Sequence, residues 1–164
     1  MIRRYIKFSN AEMFKYKERT NTLMKLYIDT CVYRDLLDDN RISIMNKDLS
    51  MPTRKFFSLL YNQKHEHQIV LSTLVLEELG NKTTSERYQD FFSKYKSMFI
   101  KVDYSDDELL AAQKQSSEDY KDTLHCILAE REKVDVIITR NVNHFKQFTN
   151  TQIWKPEEFT NQLR

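Results

Sequence analysis

From Lys25 onward the chain alternates short apolar runs with amphipathic stretches. The runs are Leu26-Tyr27-Ile28, Ile69-Val70-Leu71, Phe99-Ile100-Lys101-Val102 and Val136-Ile137-Ile138. Apolar runs this short, bounded by polar residues, read as buried strands. We place strands at 25–29, 68–71, 99–102 and 136–139, with a fifth, edge strand at 152–154. Helical segments separate them. CVYRDLLD (31–38) reads as a short helix, and Ser50-Met51-Pro52 opens another, with serine as cap and proline in the first turn. Ser72 caps TLVLEEL, which ends at Gly80. Thr83 with Glu86, and Ser105 with Glu108, have the spacing of capping boxes. Further helices are expected at 120–132, 143–148 and from Pro156. Strands separated by helices need crossover connections. The pattern therefore predicts an α/β protein: three layers, with a central, mostly parallel sheet of four to five strands flanked by helices. Such sheets bind ligands at the carboxyl ends of their strands.

Composition narrows the chemistry. The 164 residues fit one domain. With Gly80 as the single glycine, neither a phosphate-cradling P-loop nor a dinucleotide fingerprint can be built. Cys31 and Cys126 form no disulfide framework and no zinc spacing. No apolar run approaches the roughly 20 residues of a membrane helix. MIRRYIKFSNAEMFKYK lacks the apolar core of a signal peptide, so a cytoplasmic protein is expected. Charge divides the chain. Residues 1–23 carry six Lys/Arg against Glu12 and Glu18, whereas the other 141 hold 20 basic and 22 acidic side chains. We read 1–23 as a basic N-terminal extension and 24–164 as the folded domain. That domain is no global polyanion binder, so any contact with nucleic acid must be local.

Four polar residues fall where a parallel sheet keeps its site. Asp29 ends the first strand, and Asn141 closely follows the fourth. Glu78 lies six residues past Ser72, between apolar turns. Asp122 shares a helix stripe with His125, Cys126 and Ala129, at spacings of three, four and seven. Taken singly, each has an ordinary explanation as a cap, a dipole partner or a solvated face. Together they bring three acids and an amide from different crossover units to one edge of one sheet. Gathered carboxylates repel unless a cation sits among them. An oxygen-only set selects Mg2+ or Mn2+, and such a cation is the usual device for hydrolysing phosphodiesters.

The segments MKLYIDTCV, LSTLVLEEL, KDTLHCILA and DVIITRNVNHF, in this order, resemble those of PIN-domain ribonucleases. The resemblance is to the VapC-like toxins of bacterial toxin–antitoxin pairs in particular, and covers about residues 24–155. It implies a PIN-like fold and metal-dependent cleavage of single-stranded RNA. It identifies Asp29, Glu78 and Asp122 with the metal-holding acids and Asn141 with a fourth catalytic position. It also implies Mg2+ or Mn2+ as cofactor, an antitoxin protein as partner and pairing of two copies. Thr30, Thr139 and Arg140 are expected to contact substrate, with Arg34, Lys121 and Lys146 as further cations near strand ends. One departure is visible: His144 stands before Phe145, where the family often has another acid. The rival within this fold is a module that has lost catalysis and only binds RNA or a partner. A phosphoacceptor receiver domain fits poorly, because Ser72 stands where the acceptor Asp belongs.

Overall fold

The computed structural model describes residues 23–39, 41 and 46–163. Of the basic extension over 1–23, all but Leu23 lies outside these residues. Strand β1 (Met24–Ile28) leads into α1 (Thr30–Leu37), then α2 (Ser50–Asn62), β2 (His67–Ser72) and α3 (Thr73–Leu79). A 3-10 turn over Gly80–Thr84 precedes α4 (Glu86–Lys94), and β3 (Phe99–Val102) follows. Next come α5 (Asp106–Gln115), α6 (Tyr120–Arg131), β4 (Val136–Ile138), α7 (Val142–Phe145), β5 (Gln152–Trp154) and α8 (Pro156–Gln162).

The five strands form one sheet in the order β3-β2-β1-β4-β5, with every neighbouring pair parallel. The expected α/β architecture is thus present, and its sheet is fully rather than mostly parallel. Consecutive residues of the central strands are all buried: Leu26, Tyr27 and Ile28, Ile69 and Val70, and Val136 through Ile138 have no exposed surface. Alternate side chains point to opposite faces, so both faces are covered. Aromatic rings of α1, α2 and α4 fill the space under one helical group. Phe56, Phe57, Phe91 and Tyr95 are buried there, Phe57 lying edge-on to Phe91 at 4.9 Å. They are packing, not a platform for bases. No helix among the described residues is long and apolar enough to cross a membrane.

Several local expectations hold. Ser72 Oγ accepts from Val75 N–H and caps α3, and Ser105 and Glu108 form a reciprocal capping box. Gly80 has φ of 57°, a conformation that suits a residue without Cβ. Two others need correction. Ser50 does not cap α2: it is the first helical residue, and the Asp48 carboxylate accepts from both its N–H and its hydroxyl. Thr83 does not cap α4, because its hydroxyl donates to Gly80 O within the 3-10 turn, and Ser85 holds the cap position. Both segments have polar residues in series, and local turn bonds captured the side chains first.

Candidate active site

The strand order places the site. The chain steps from β1 outward to β2 and β3, then returns to β4 on the other side of β1. A crevice opens where the direction of winding reverses. β1 and β4 are in register with Ile28 opposite Ile138, and Asp29 N–H donates to Ile138 O at 2.9 Å. Asp29 and Thr139 therefore emerge side by side at the carboxyl edge.

A cavity of about 320 Å³ lies there, and Asp29, Glu78, Asp122 and Asn141 all line it, with Thr30, Arg34 and Lys121 among their neighbours. β1, α3 and α6 thus each deliver one carboxylate to the same space. Two of the three are held on one oxygen. Asp29 Oδ2 accepts from Thr139 Oγ1 at 2.7 Å and from Cys31 Sγ at 2.9 Å. Glu78 Oε2 accepts from Thr30 Oγ1 at 2.5 Å and pairs with His125 Nε2 at 2.9 Å. Each carboxylate keeps its second oxygen for a ligand. Fixing one oxygen and leaving the other is what a cation site requires of its supporting shell.

Behind Glu78 runs a buried chain of hydrogen bonds. Tyr27 Oη lies 2.7 Å from His125 Nδ1 and 2.8 Å from Ser72 Oγ. One proton arrangement satisfies every partner: His125 Nε2–H donates to Glu78, Tyr27 O–H to Nδ1, Ser72 O–H to Tyr27, and Val75 N–H to Ser72. Burial holds the Tyr27 hydroxyl far above its usual pKa, consistent with a permanent donor. Burial alone would raise Glu78 too, but its bonds to His125 and Thr30 outweigh that and keep it below the usual carboxylate range. His125 moves oppositely. Its burial favours the neutral ring, yet the bond to Glu78 and the charges of Asp29, Glu78 and Asp122 raise it. The ligand-capable atoms of Asp29, Glu78 and His125 all lie within 4.8 Å of one another. With both its nitrogens engaged, His125 stands behind the carboxylate rather than beside it.

Asp122 is the least restrained acid. Its side chain is 32% exposed, and Oδ2 pairs with His144 Nε2 at 3.1 Å. Burial, then the negative charge of Asp29, lifts its pKa above the ordinary value, despite the opposing pull of His125 and His144. Arg34, Arg41 and Lys121 share this lining with the three acids, and oxygen atoms dominate its free donors. The carboxylate oxygens are of the kind a hard divalent cation takes, with Asp122 clustered within 4.8 Å of Asp119 and His144 rather than grouped with Asp29 and Glu78. Asn141 sits exposed at the rim, its N–H donating to Thr139 Oγ1 at 3.0 Å.

Two of the expected substrate contacts are corrected. Thr139 is fully buried and its hydroxyl is spent on Asp29. Arg140 points away from the acids. Its Nε donates to buried Asp35 at 2.8 Å, one terminal nitrogen to Glu157, and the other to Thr53 Oγ1 at 2.8 Å. A guanidinium so engaged ties β4 to α1, α2 and α8. Thr30 does line the cavity, but with its hydroxyl turned to Glu78. Of the other cations, Arg34 donates to Glu78 O at 2.7 Å, and Lys121 makes no ion pair among the described residues. His125 and Tyr27 gained no role from the sequence. The signal for His125 is its position one turn beyond Asp122, whereas nothing marks a tyrosine inside a strand.

No model of a known protein family matches the chain, and no curated protein matches it. Among solved structures, the chain is similar to that of VapBC2 from Rickettsia felis bound to a DNA fragment from their promoter. Identity is 19%, the alignment covers 80% of this chain and 98% of that one, and the TM-score is 0.49.

Proposed function

We propose that the protein is a Mg2+- or Mn2+-dependent endoribonuclease of the PIN kind, hydrolysing phosphodiester bonds of single-stranded RNA. The observation that carries this reading is the convergence of Asp29, Glu78 and Asp122 on one cavity at the winding reversal of a parallel sheet. The RNA substrate, and a role as a toxin restrained by an antitoxin protein, rest on the sequence resemblance alone.

In this reading Asp29, Glu78 and Asp122 would hold the cation. When bound, such a cation acidifies water and neutralises charge on a phosphoryl group. The chain's own residues prepare the site. Thr139 and Cys31 fix the orientation of Asp29, while Thr30 and His125 fix that of Glu78. The hydrogen-bonded chain through Tyr27 and Ser72 locks the His125 ring. Lys121, on the same wall as Asp122, attracts the phosphate. Asn141 offers a carboxamide at the rim, suited to a hydroxyl or phosphate oxygen.

The test is cleavage of a labelled single-stranded RNA with purified protein. Cutting is expected in Mn2+ or Mg2+, to stop on chelation with EDTA, and to return when the metal is added in excess. An intact strand in both metals, or cutting that persists in EDTA, rules the reading out.

A further inference from the structure

A second cavity adjoins the first. It has a volume of about 490 Å³ and is lined by Asn141, Asn143, His144, Lys146, Lys155 and Glu158, among others. Asn141 belongs to the walls of both cavities. His144, on the wall of the second, reaches Asp122 in the first at 3.1 Å. The two spaces are therefore separated only by the ridge that joins β4 to α7.

Their charges differ. The first holds three carboxylates beside three cations, Arg34, Arg41 and Lys121. In the second, Lys146 and Lys155 are exposed, and among the described residues neither ammonium makes an ion pair. The one carboxylate on this wall, Glu158, has Oε2 committed to Lys155 N–H at 2.7 Å. Arg140 shares the wall but its charge is met by Asp35 and Glu157. Against the single Glu158, the two lysines leave this wall with a net positive charge beside neutral amides, which suits an anion. No Phe, Tyr or Trp lines it, so it offers charge and hydrogen bonds without a surface for stacking bases.

We infer that this second cavity is a phosphate subsite, in which Lys146 and Lys155 hold a backbone phosphate next to the one undergoing cleavage. The inference rests on the nuclease reading of the first cavity and adds the path of the strand. The strand leaves the acid cavity, crosses Asn141 and continues along α7 towards the start of α8. A polynucleotide suits this path better than an acidic peptide does. A polynucleotide carries a phosphate at every nucleotide, so one strand held in the first cavity presents a neighbouring phosphate to the second. Contacts to phosphate alone carry no base preference.

The experiment measures binding of a fluorescent 12-nucleotide RNA by anisotropy across a KCl series in Mg2+, using Asp29→Asn protein so that the strand stays intact. Adding Lys146→Gln and Lys155→Gln is expected to weaken binding about tenfold near 0.1 M KCl. It should also make the slope of log affinity against log salt shallower by about 1.4, since each phosphate contact to a single strand contributes about 0.7. RNAs of different sequence should lose affinity equally. Lys64→Gln with Lys96→Gln, which precede β2 and β3 at the opposite end of the sheet, should change neither quantity. An unchanged affinity and slope in the Lys146/Lys155 variant overturns the subsite while leaving the nuclease reading to its own cleavage test. So does a result in which an oligoglutamate peptide, and not RNA, binds with this lysine dependence.

Discussion

Asp29→Asn is expected to reduce RNA cleavage about 10³-fold or more while leaving the metal-free protein at least as stable as wild type. The activity loss follows from the role of this carboxylate in the proposed cation site, where removal of a single preorganised electrostatic partner typically costs 10²–10³-fold. The stability result follows from charge. Asp29 is one of the causes that hold Asp122 above the normal carboxylate range, so neutralising it relieves repulsion. The amide oxygen of an asparagine can still accept from Thr139 and Cys31, the donors that meet Asp29 now. Thermal unfolding separates the two effects. Saturating Mn2+ at about 100 times Kd should stabilise wild type by roughly 2.7 kcal/mol, some 5–10 °C for a chain of this size. The variant should show little of that gain. A variant that unfolds far below wild type without metal would instead mark Asp29 as a structural residue.

The second large effect is expected at Arg140→Met. Asp35 has no exposed surface, and Arg140 Nε is its closest cation at 2.8 Å, with Arg41 Nη2 at 3.5 Å. Removing the guanidinium leaves a buried carboxylate with one weaker partner, and losses of about 3–5 kcal/mol are typical for such a break. The unfolding midpoint should drop by roughly 10 °C. The pH dependence has a definite sign. Burial already raises the Asp35 pKa, against the pull of Arg140 and Arg41. Without Arg140 it rises further. A carboxyl raised in the folded state favours folding below its ordinary pKa and loses that contribution as pH climbs through the folded value. The deficit of the variant should therefore be largest near neutral pH and shrink on acidification, as chemical denaturation over a pH series would measure. Combining Arg140→Met with Asp35→Leu should recover part of the loss, because no buried charge then remains.

The sequence disclosed the scaffold through its strongest periodic signals. Four apolar runs each became a strand, and the crossover helices between them forced parallel pairing. Because a parallel sheet has one carboxyl edge, Asp29 and Asn141 could be assigned to it from position alone, and the three acids do share a cavity. What lay beyond the sequence was the second partner of each polar group. Tyr27 meets Ser72 across 45 positions and His125 across 98, and a tyrosine inside an apolar run looks like any other core residue. Arg140 was legible as a cation beside a strand end. Its direction depends on Asp35, 105 positions away, whose burial only packing reveals. Thr139 follows the same logic: the position was right, and the hydroxyl went to Asp29 rather than outward.

The claim on which the function depends is that one divalent cation binds among Asp29, Glu78 and Asp122. Crystals of the protein soaked in Mn2+ and recorded near the manganese absorption edge test it most directly. An anomalous peak is expected within about 2.0–2.4 Å of a carboxylate oxygen of at least two of these residues. Manganese bound only elsewhere, or a cavity without a peak at saturating Mn2+, would contradict it.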